Sequence, residues 1–120
     1  MSELIIKNRT QDKILCSNAL IADTFYKRAK GLLGQKEILN PLVIKPCKQI
    51  HSWFMKFPFD AVFIDKEQKV VGTLEKMAPF KISPYVRKAA TVIELPPGTV
   101  AKTGTNINDV ITIERKDVFA

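Results

Sequence analysis

Short apolar runs separated by polar turns recur along most of the 120-residue chain and predict a sheet of short strands. The run at 61–64 is continuously apolar, which is typical of a strand covered on both faces. Two hairpins are expected, one at the N-terminus and one at the centre of the chain. The predicted strands are 3–7, 13–22, 41–45, 49–54, 61–64, 69–76, 89–95 and 110–115.

Two stretches depart from the strand pattern and predict short helices. The first follows Asp23, a good N-cap, and shows apolar residues at helical spacing as far as Gly34. The second is expected to start at the prolines 96 and 97 and to run through Thr103. Together these elements predict an α+β protein dominated by β structure, with a compact curled or barrel-like sheet of about six to eight strands and two helices.

The stretch 78–88 follows no period and contains two prolines. It is therefore predicted to be a long connection rather than a strand or helix. Long connections inside compact domains are disproportionately functional, so we consider this one a candidate lid over a binding site.

Composition limits the class of protein. A hydrophobic fraction of 46% with 26% charged residues is ordinary for a globular chain, and it predicts one domain over residues 1–120. No apolar run reaches the roughly 18 residues of a membrane span, and no secretory signal is evident, so a cytoplasmic protein is expected. Cys16 and Cys47 are predicted to be reduced thiols. Two cysteines and one histidine without metal spacing predict no metal site, and nothing predicts a cofactor.

Four segments, taken in order, resemble the domain-of-unknown-function 192 family. They are RAKGLLG at 28–34, IHSWFMKFPFDAVFID at 50–65, IELPPG at 93–98 and GTNIND at 104–109. Leu33 stands where the family usually has methionine, and Asn108 where it has a second glycine. Asparagine tolerates a positive φ better than other non-glycine residues, so the last turn can survive. The resemblance implies the fold class and no established activity.

The leading hypothesis is a non-enzymatic module that binds a small molecule or peptide. Asp60 is expected at the rim of a buried strand, and the face of Glu94 depends on which side of its strand is covered. If Glu94 is buried, Arg28 is a suitable bidentate partner. The plainer alternative is that these groups form structural ion pairs or caps. The candidate ligand-binding residues are Arg28, His51, Trp53, Met55, Asp60 and Glu94.

A second hypothesis rests on charge. The net charge of +7 is unevenly spread, and no acid lies between Glu75 and Glu94. Phe80 and Tyr85 are interleaved with basic residues in that window, a combination that suits nucleic acid or another polyanion. No recognised nucleic-acid motif accompanies them. The candidate polyanion-binding residues are Lys76, Lys81, Arg87 and Lys88.

A third hypothesis is a hydrolase that uses Cys47 or His51. His51 is the only histidine, and Cys47 precedes it by four residues. On one strand that spacing separates the two side chains by roughly 13 Å, too far for a hydrogen bond. A bend between them would be needed, and no third catalytic group or oxyanion site is recognisable.

Overall fold

The computed structural model describes residues 3–22, 41–52 and 56–116 of the chain. The strands in these ranges are β1 (Leu4–Asn8), β2 (Lys13–Ala22), β3 (Leu42–Ile44), β4 (Phe59–Ile64), β5 (Val70–Met77), β6 (Thr91–Leu95) and β7 (Ile111–Arg115). The same ranges hold one helix, α1 (Thr99–Thr103). The predicted predominance of β structure is confirmed. The other predicted helix, after Asp23, lies outside the described residues.

The seven strands form one curled sheet in the order β5-β4-β6-β3-β2-β1-β7. Its two edge strands come together near their first residues. Val70 N–H donates to Asp109 O and Asn108 N–H donates to Val70 O, both at 2.8 Å. Ile111 N–H donates to Gln68 O at the same distance. The sheet therefore bends round until its edges share hydrogen bonds, as the predicted barrel-like form requires.

Both faces of the central strands are buried. Every residue of β4 and of β6 is buried, because alternate side chains enter two separate apolar clusters. Val62, Ile93 and Leu95 pack in the cluster enclosed by the curled sheet. Phe63 and Val92 pack in the cluster on the outer side. This confirms the double coverage that the apolar run at 61–64 indicates.

Two segments, 46–52 and 80–90, lie over the outer cluster, and we call them together the outer cover. They place Ile50, Val86 and Ala89 against the outer side of the sheet. The segments run antiparallel and are joined by backbone hydrogen bonds, Ser52 N–H to Lys81 O (2.9 Å), Ser83 N–H to Ile50 O (2.9 Å) and Val86 N–H to Lys48 O (2.8 Å). The outer cover thus supplies the second buried face of the sheet.

The predicted strand at 49–54 is wrong over its described part, residues 49–52. Only His51 makes a β-bridge there, with Ile82. Side-chain hydroxyls replace carbonyl acceptors on either side of it, since Ile50 N–H donates to Ser83 Oγ (3.0 Å) and Lys81 N–H donates to Ser52 Oγ (2.9 Å). Such side-chain bonds compete with a regular ladder, so the pairing stays irregular.

Helix α1 is bounded by two glycines in the left-handed region. Gly98 is the N-cap, with φ 92°, so the two prolines precede the helix and do not open it as predicted. Gly104 ends the helix with φ 65°, which confirms the predicted stop. Val100 N–H, in the first turn, donates to Asp60 Oδ2 at 2.8 Å. This bond ties the helix to β4.

Candidate functional site

Glu94 lies in the middle of an apolar row that crosses five strands on the outer side of the sheet. It pairs with Ala61 of β4 and with Leu42 of β3. Leu74 pairs with Ala61, and Leu20 pairs with Leu42, so the row continues on both sides. Directly paired residues project to the same face. The carboxyl group of Glu94 is therefore set among aliphatic side chains.

The environment of Glu94 disfavours its charged form. The residue is 7% exposed, and no described residue gives its carboxyl group a hydrogen bond or an ion pair. Desolvation by burial raises the pKa of Glu94 to about 7. Near neutral pH the protonated and the charged forms of Glu94 are therefore both populated, and neither form has a hydrogen-bonding partner among the described residues.

Asp60 faces the enclosed side of the sheet, away from Glu94. It pairs with Leu95, whereas its neighbour Ala61 pairs with Glu94. It is fully buried, so the predicted position at a partly solvated rim is wrong. Its oxygens accept from Lys76 N–H and from Val100 N–H, each at 2.8 Å. Asp60 thus acts as the capping carboxylate that the structural alternative describes.

A β-bulge makes the bond from Lys76 to Asp60 available. Between the pairs Phe59–Met77 and Ala61–Leu74, β4 has one residue and β5 has two. The extra residue turns Lys76 into the left-handed region, with φ 52°, and directs its N–H toward Asp60. The sequence carries no clear signal of this bulge.

A third buried carboxylate, Asp109, lies in the turn before β7 and binds residues of that turn and of the β1–β2 hairpin. Its Oδ2 accepts from Asn8 Nδ2 (2.9 Å), Gln11 Nε2 (3.2 Å) and Asn106 N–H (2.9 Å). Desolvation acts to raise the pKa of Asp109, but these hydrogen bonds outweigh it and hold the pKa below its usual value. Sequence reasoning identified the turn at 104–109 but missed the part played by Asn8.

The remaining candidates for ligand binding lie elsewhere. His51 is exposed on the outer cover. Arg28, Trp53 and Met55 lie outside the described residues, and their part in a site stays a prediction. Asp60 and Glu94 thus lie on opposite faces of the sheet. Of the candidate residues that the structure describes, Glu94 is the one for which no partner is seen in the described ranges.

Cys16 and Cys47 do not form a disulfide. Burial raises the pKa of Cys16 to about 11, against the opposing effect of backbone hydrogen bonds at Asn18 and Ile6. Cys47 Sγ donates to Gln49 O at 3.3 Å. No group of three His, Cys, Asp or Glu side chains in the described ranges is placed to hold a metal ion. The hydrolase hypothesis stays a prediction.

The basic candidates, unlike Glu94, lie on the surface of the protein. Lys76, Lys81, Arg87 and Lys88 are all exposed. Three large apolar side chains stand among them, with exposed fractions of 65% for Phe80, 57% for Ile82 and 63% for Tyr85. We call the exposed face of residues 76–88 the apolar–basic surface. In the part of the chain that the structure describes, no helix is long and apolar enough to cross a membrane.

Comparisons of the sequence with known proteins identify related sequences. The model of the DUF192 family, described as an uncharacterized ACR, matches residues 6–113. A UPF0127 protein of Thermococcus sibiricus is 34% identical over an alignment of 115 residues that covers 89% of this chain and 73% of the relative. A UPF0127 protein of Pyrococcus furiosus is 26% identical over an alignment of 107 residues that covers 85% of this chain and 91% of the relative.

Two crystal structures have similar folds. One is a protein of unknown function from Novosphingobium aromaticivorans, with a TM-score of 0.76 and 17% identity, covering 91% of this chain and 82% of that one. The other is a proposed transcription regulator from Sinorhizobium meliloti, with a TM-score of 0.76 and 18% identity, covering 92% of each chain. At such low identity the likeness shows the fold alone.

Proposed function

We propose a function from the geometry of the protein, because the chain belongs to the DUF192 family and this family name assigns no activity. The proposed function is that of a non-enzymatic module that binds a small molecule or peptide at Glu94. One observation carries the proposal. Glu94 is a buried carboxyl group to which no described residue offers a donor or a cation. The oxygens of Glu94 are not among the fully buried atoms that lack a hydrogen bond, so they keep some contact with solvent, from which a ligand can reach them and supply the missing partner.

The row around Glu94 indicates the ligand's chemistry. Leu42, Ala61 and Leu74 favour an apolar body, and the carboxyl group favours a single polar head. Below the pKa of Glu94 the protonated carboxyl can donate to a carbonyl or amide oxygen. Above it the carboxylate attracts an ammonium group. The ligand class is therefore a small apolar amine or amide, or the equivalent part of a peptide.

Binding is better supported than catalysis because Glu94 has no described second group to act with. General acid–base chemistry usually needs a second titratable or nucleophilic side chain within hydrogen-bond reach. The residues paired around Glu94 are aliphatic, and Asp60 faces the other side of the sheet with both oxygens bonded. A polar head can be recognised by one carboxyl group alone.

The test is a ligand screen read by two-dimensional amide NMR, with small apolar amines, amides and short peptides as probes. A binder is expected to shift the amides of Leu42, Ala61 and Glu94 first. Glu94→Leu should abolish that binding, whereas Glu75→Gln, which changes an exposed glutamate on β5, should leave it intact. For an amine, affinity should fall about tenfold per pH unit below the pKa of Glu94.

Two results would count against this function. Binders that shift only amides remote from the apolar row would place the site elsewhere. Binding that Glu94→Leu leaves unchanged would show that the carboxyl group does not recognise the ligand. Glu94→Gln distinguishes the two classes of ligand. The glutamine side chain can still form a hydrogen bond to the amide of a ligand, but it has no charge to attract an ammonium group.

A further inference from the structure

The apolar–basic surface concentrates side chains that proteins usually bury. Five large hydrophobic residues are strongly exposed in the described ranges, and three of them, Phe80, Ile82 and Tyr85, lie within six consecutive positions. Single exposed apolar residues are common on soluble proteins, but a cluster marks a contact surface. Glu94 is buried on the outer side of the sheet and none of these three residues pairs with it, so the apolar–basic surface is a second feature, which the proposed ligand site does not use.

Hydrogen bonds on its inner side fix the backbone of this surface. Ser52 Oγ donates to Ala78 O at 2.6 Å, and Gln49 Nε2 donates to Ser83 O at 2.9 Å. Lys48 Nζ donates to Arg87 O at 2.8 Å and also to the carbonyl of Ala89 at 2.7 Å. The apolar side chains are thus presented by an anchored segment, which lowers the entropy lost when a partner binds.

The backbone at Phe80 supports the same conclusion. Its φ is 61°, in the left-handed region, which is rare for a bulky residue. Its N–H donates to Ser52 O at 2.8 Å, so a backbone hydrogen bond within the outer cover holds Phe80 in this conformation while the residue is 65% exposed. Strain that is held in place by surrounding bonds is a reason to look for function.

We propose that the apolar–basic surface docks on an anionic lipid bilayer. Phe80, Ile82 and Tyr85 enter the interfacial layer, where aromatic and aliphatic side chains are both favoured. Lys76, Lys81, Arg87 and Lys88 stay at the level of the lipid headgroups and attract their negative charge. No acidic residue between Glu75 and Glu94 opposes this attraction.

The exposure of Ile82 favours lipid over nucleic acid. Single-stranded nucleic acid is held by stacking of bases on aromatic rings, which would use Phe80 and Tyr85 only. Ile82 has no π face, yet its exposed fraction of 57% is close to the 63% of Tyr85. Lipid burial gives all three side chains a favourable environment.

The experiment is co-sedimentation with vesicles of phosphatidylcholine alone and with about one-third phosphatidylglycerol. Wild type is expected to bind only the anionic vesicles. Neutralising Lys81, Arg87 and Lys88 together to glutamine should weaken binding about a hundredfold, at about fivefold per charge. Ile82→Ser should weaken it about tenfold, and Phe80→Leu by no more than about twofold, since leucine keeps the hydrophobicity and loses only the ring.

Matched controls lie on the β1–β2 hairpin, which is not part of the outer cover. Ile14 is 60% exposed, so Ile14→Ser removes an equally exposed isoleucine, and Lys13→Gln removes an exposed charge. Both should bind as wild type does. Urea unfolding of each variant checks that the fold is kept.

Three results would overturn the inference. Wild type that fails to bind anionic vesicles at low salt would exclude lipid docking. Vesicle binding that Ile82→Ser leaves unchanged would exclude insertion of the apolar side chains. Tight binding to single-stranded DNA that Phe80→Leu abolishes, in a protein that ignores vesicles, would identify nucleic acid as the partner. None of these outcomes depends on the ligand site at Glu94.

Discussion

Asp60 and Glu94 lie at adjacent levels of the same two paired strands, yet their surroundings are opposite. Asp60 faces the enclosed side of the sheet and accepts two backbone N–H groups at 2.8 Å. Glu94 faces the outer side among aliphatic residues and has no bonding partner in the described ranges. The donors around a buried carboxyl group, rather than burial itself, therefore distinguish a structural group from a candidate site.

The largest expected effect is at Asp60. Asp60→Ala leaves the partly buried N–H group of Lys76 and the buried N–H group of Val100 without acceptors, so the free energy of unfolding should fall by about 4 kcal/mol. Asp65→Ala is the matched control, because Asp65 Oδ1 also accepts two backbone N–H groups, but in a solvated turn. It should cost about 1 kcal/mol. Equal losses in urea unfolding would contradict the account of Asp60.

The next effect is the pH dependence caused by Glu94. Its pKa rises from 4.5 in the unfolded chain to about 7 in the fold, so ionisation opposes folding. The free energy of unfolding should therefore fall by about 3 kcal/mol as the pH rises between those values. Glu94→Leu should remove this decrease and be more stable than wild type above pH 7. A wild-type decrease that survives Glu94→Leu would contradict this assignment.

The smallest effect is at Asp109 and has the opposite sign. Its pKa is lowered in the fold, so its contribution to stability is present above the unfolded pKa and is lost as the pH falls below about 4. Asp109→Asn weakens the charge-assisted bonds from Asn8, Gln11 and Asn106 and should cost about 1.5 kcal/mol at neutral pH. Urea unfolding at neutral and acid pH measures it, and a cost that is undiminished in acid would contradict the account.

The sheet could be predicted because its signal is local. β2, Lys13–Ala22, has the bounds that its sequence pattern predicts, and the apolar run within β4 indicated coverage on both faces. Asn108 adopts the positive φ, 75°, that its place in the last turn predicts. In each of these cases the local structure is determined by residues that are neighbours in the sequence, so it can be predicted from one sequence alone.

The position of the carboxyl groups could not be predicted because it depends on distant contacts. The buried carboxylate of Asp60 accepts a hydrogen bond from Val100, which is forty residues away in the sequence. The face of the sheet to which Glu94 projects could not be predicted, because every residue of β6 is buried. The strand therefore has no alternation of buried and exposed residues that would tell its two faces apart. The segment at 49–52 resembles a strand in composition, but the hydroxyl groups of Ser52 and Ser83 interrupt its ladder.

The most direct test is a titration of the Glu94 side-chain carboxyl carbon by carbon-13 NMR, with and without a bound apolar amine. We expect a midpoint at about 7 in the free protein and a lower midpoint in the complex, because the ammonium group stabilises the carboxylate. A midpoint near 4.5, the ordinary value, would show that Glu94 already has a partner or is solvated. That result would contradict the proposal that its carboxyl group awaits a ligand.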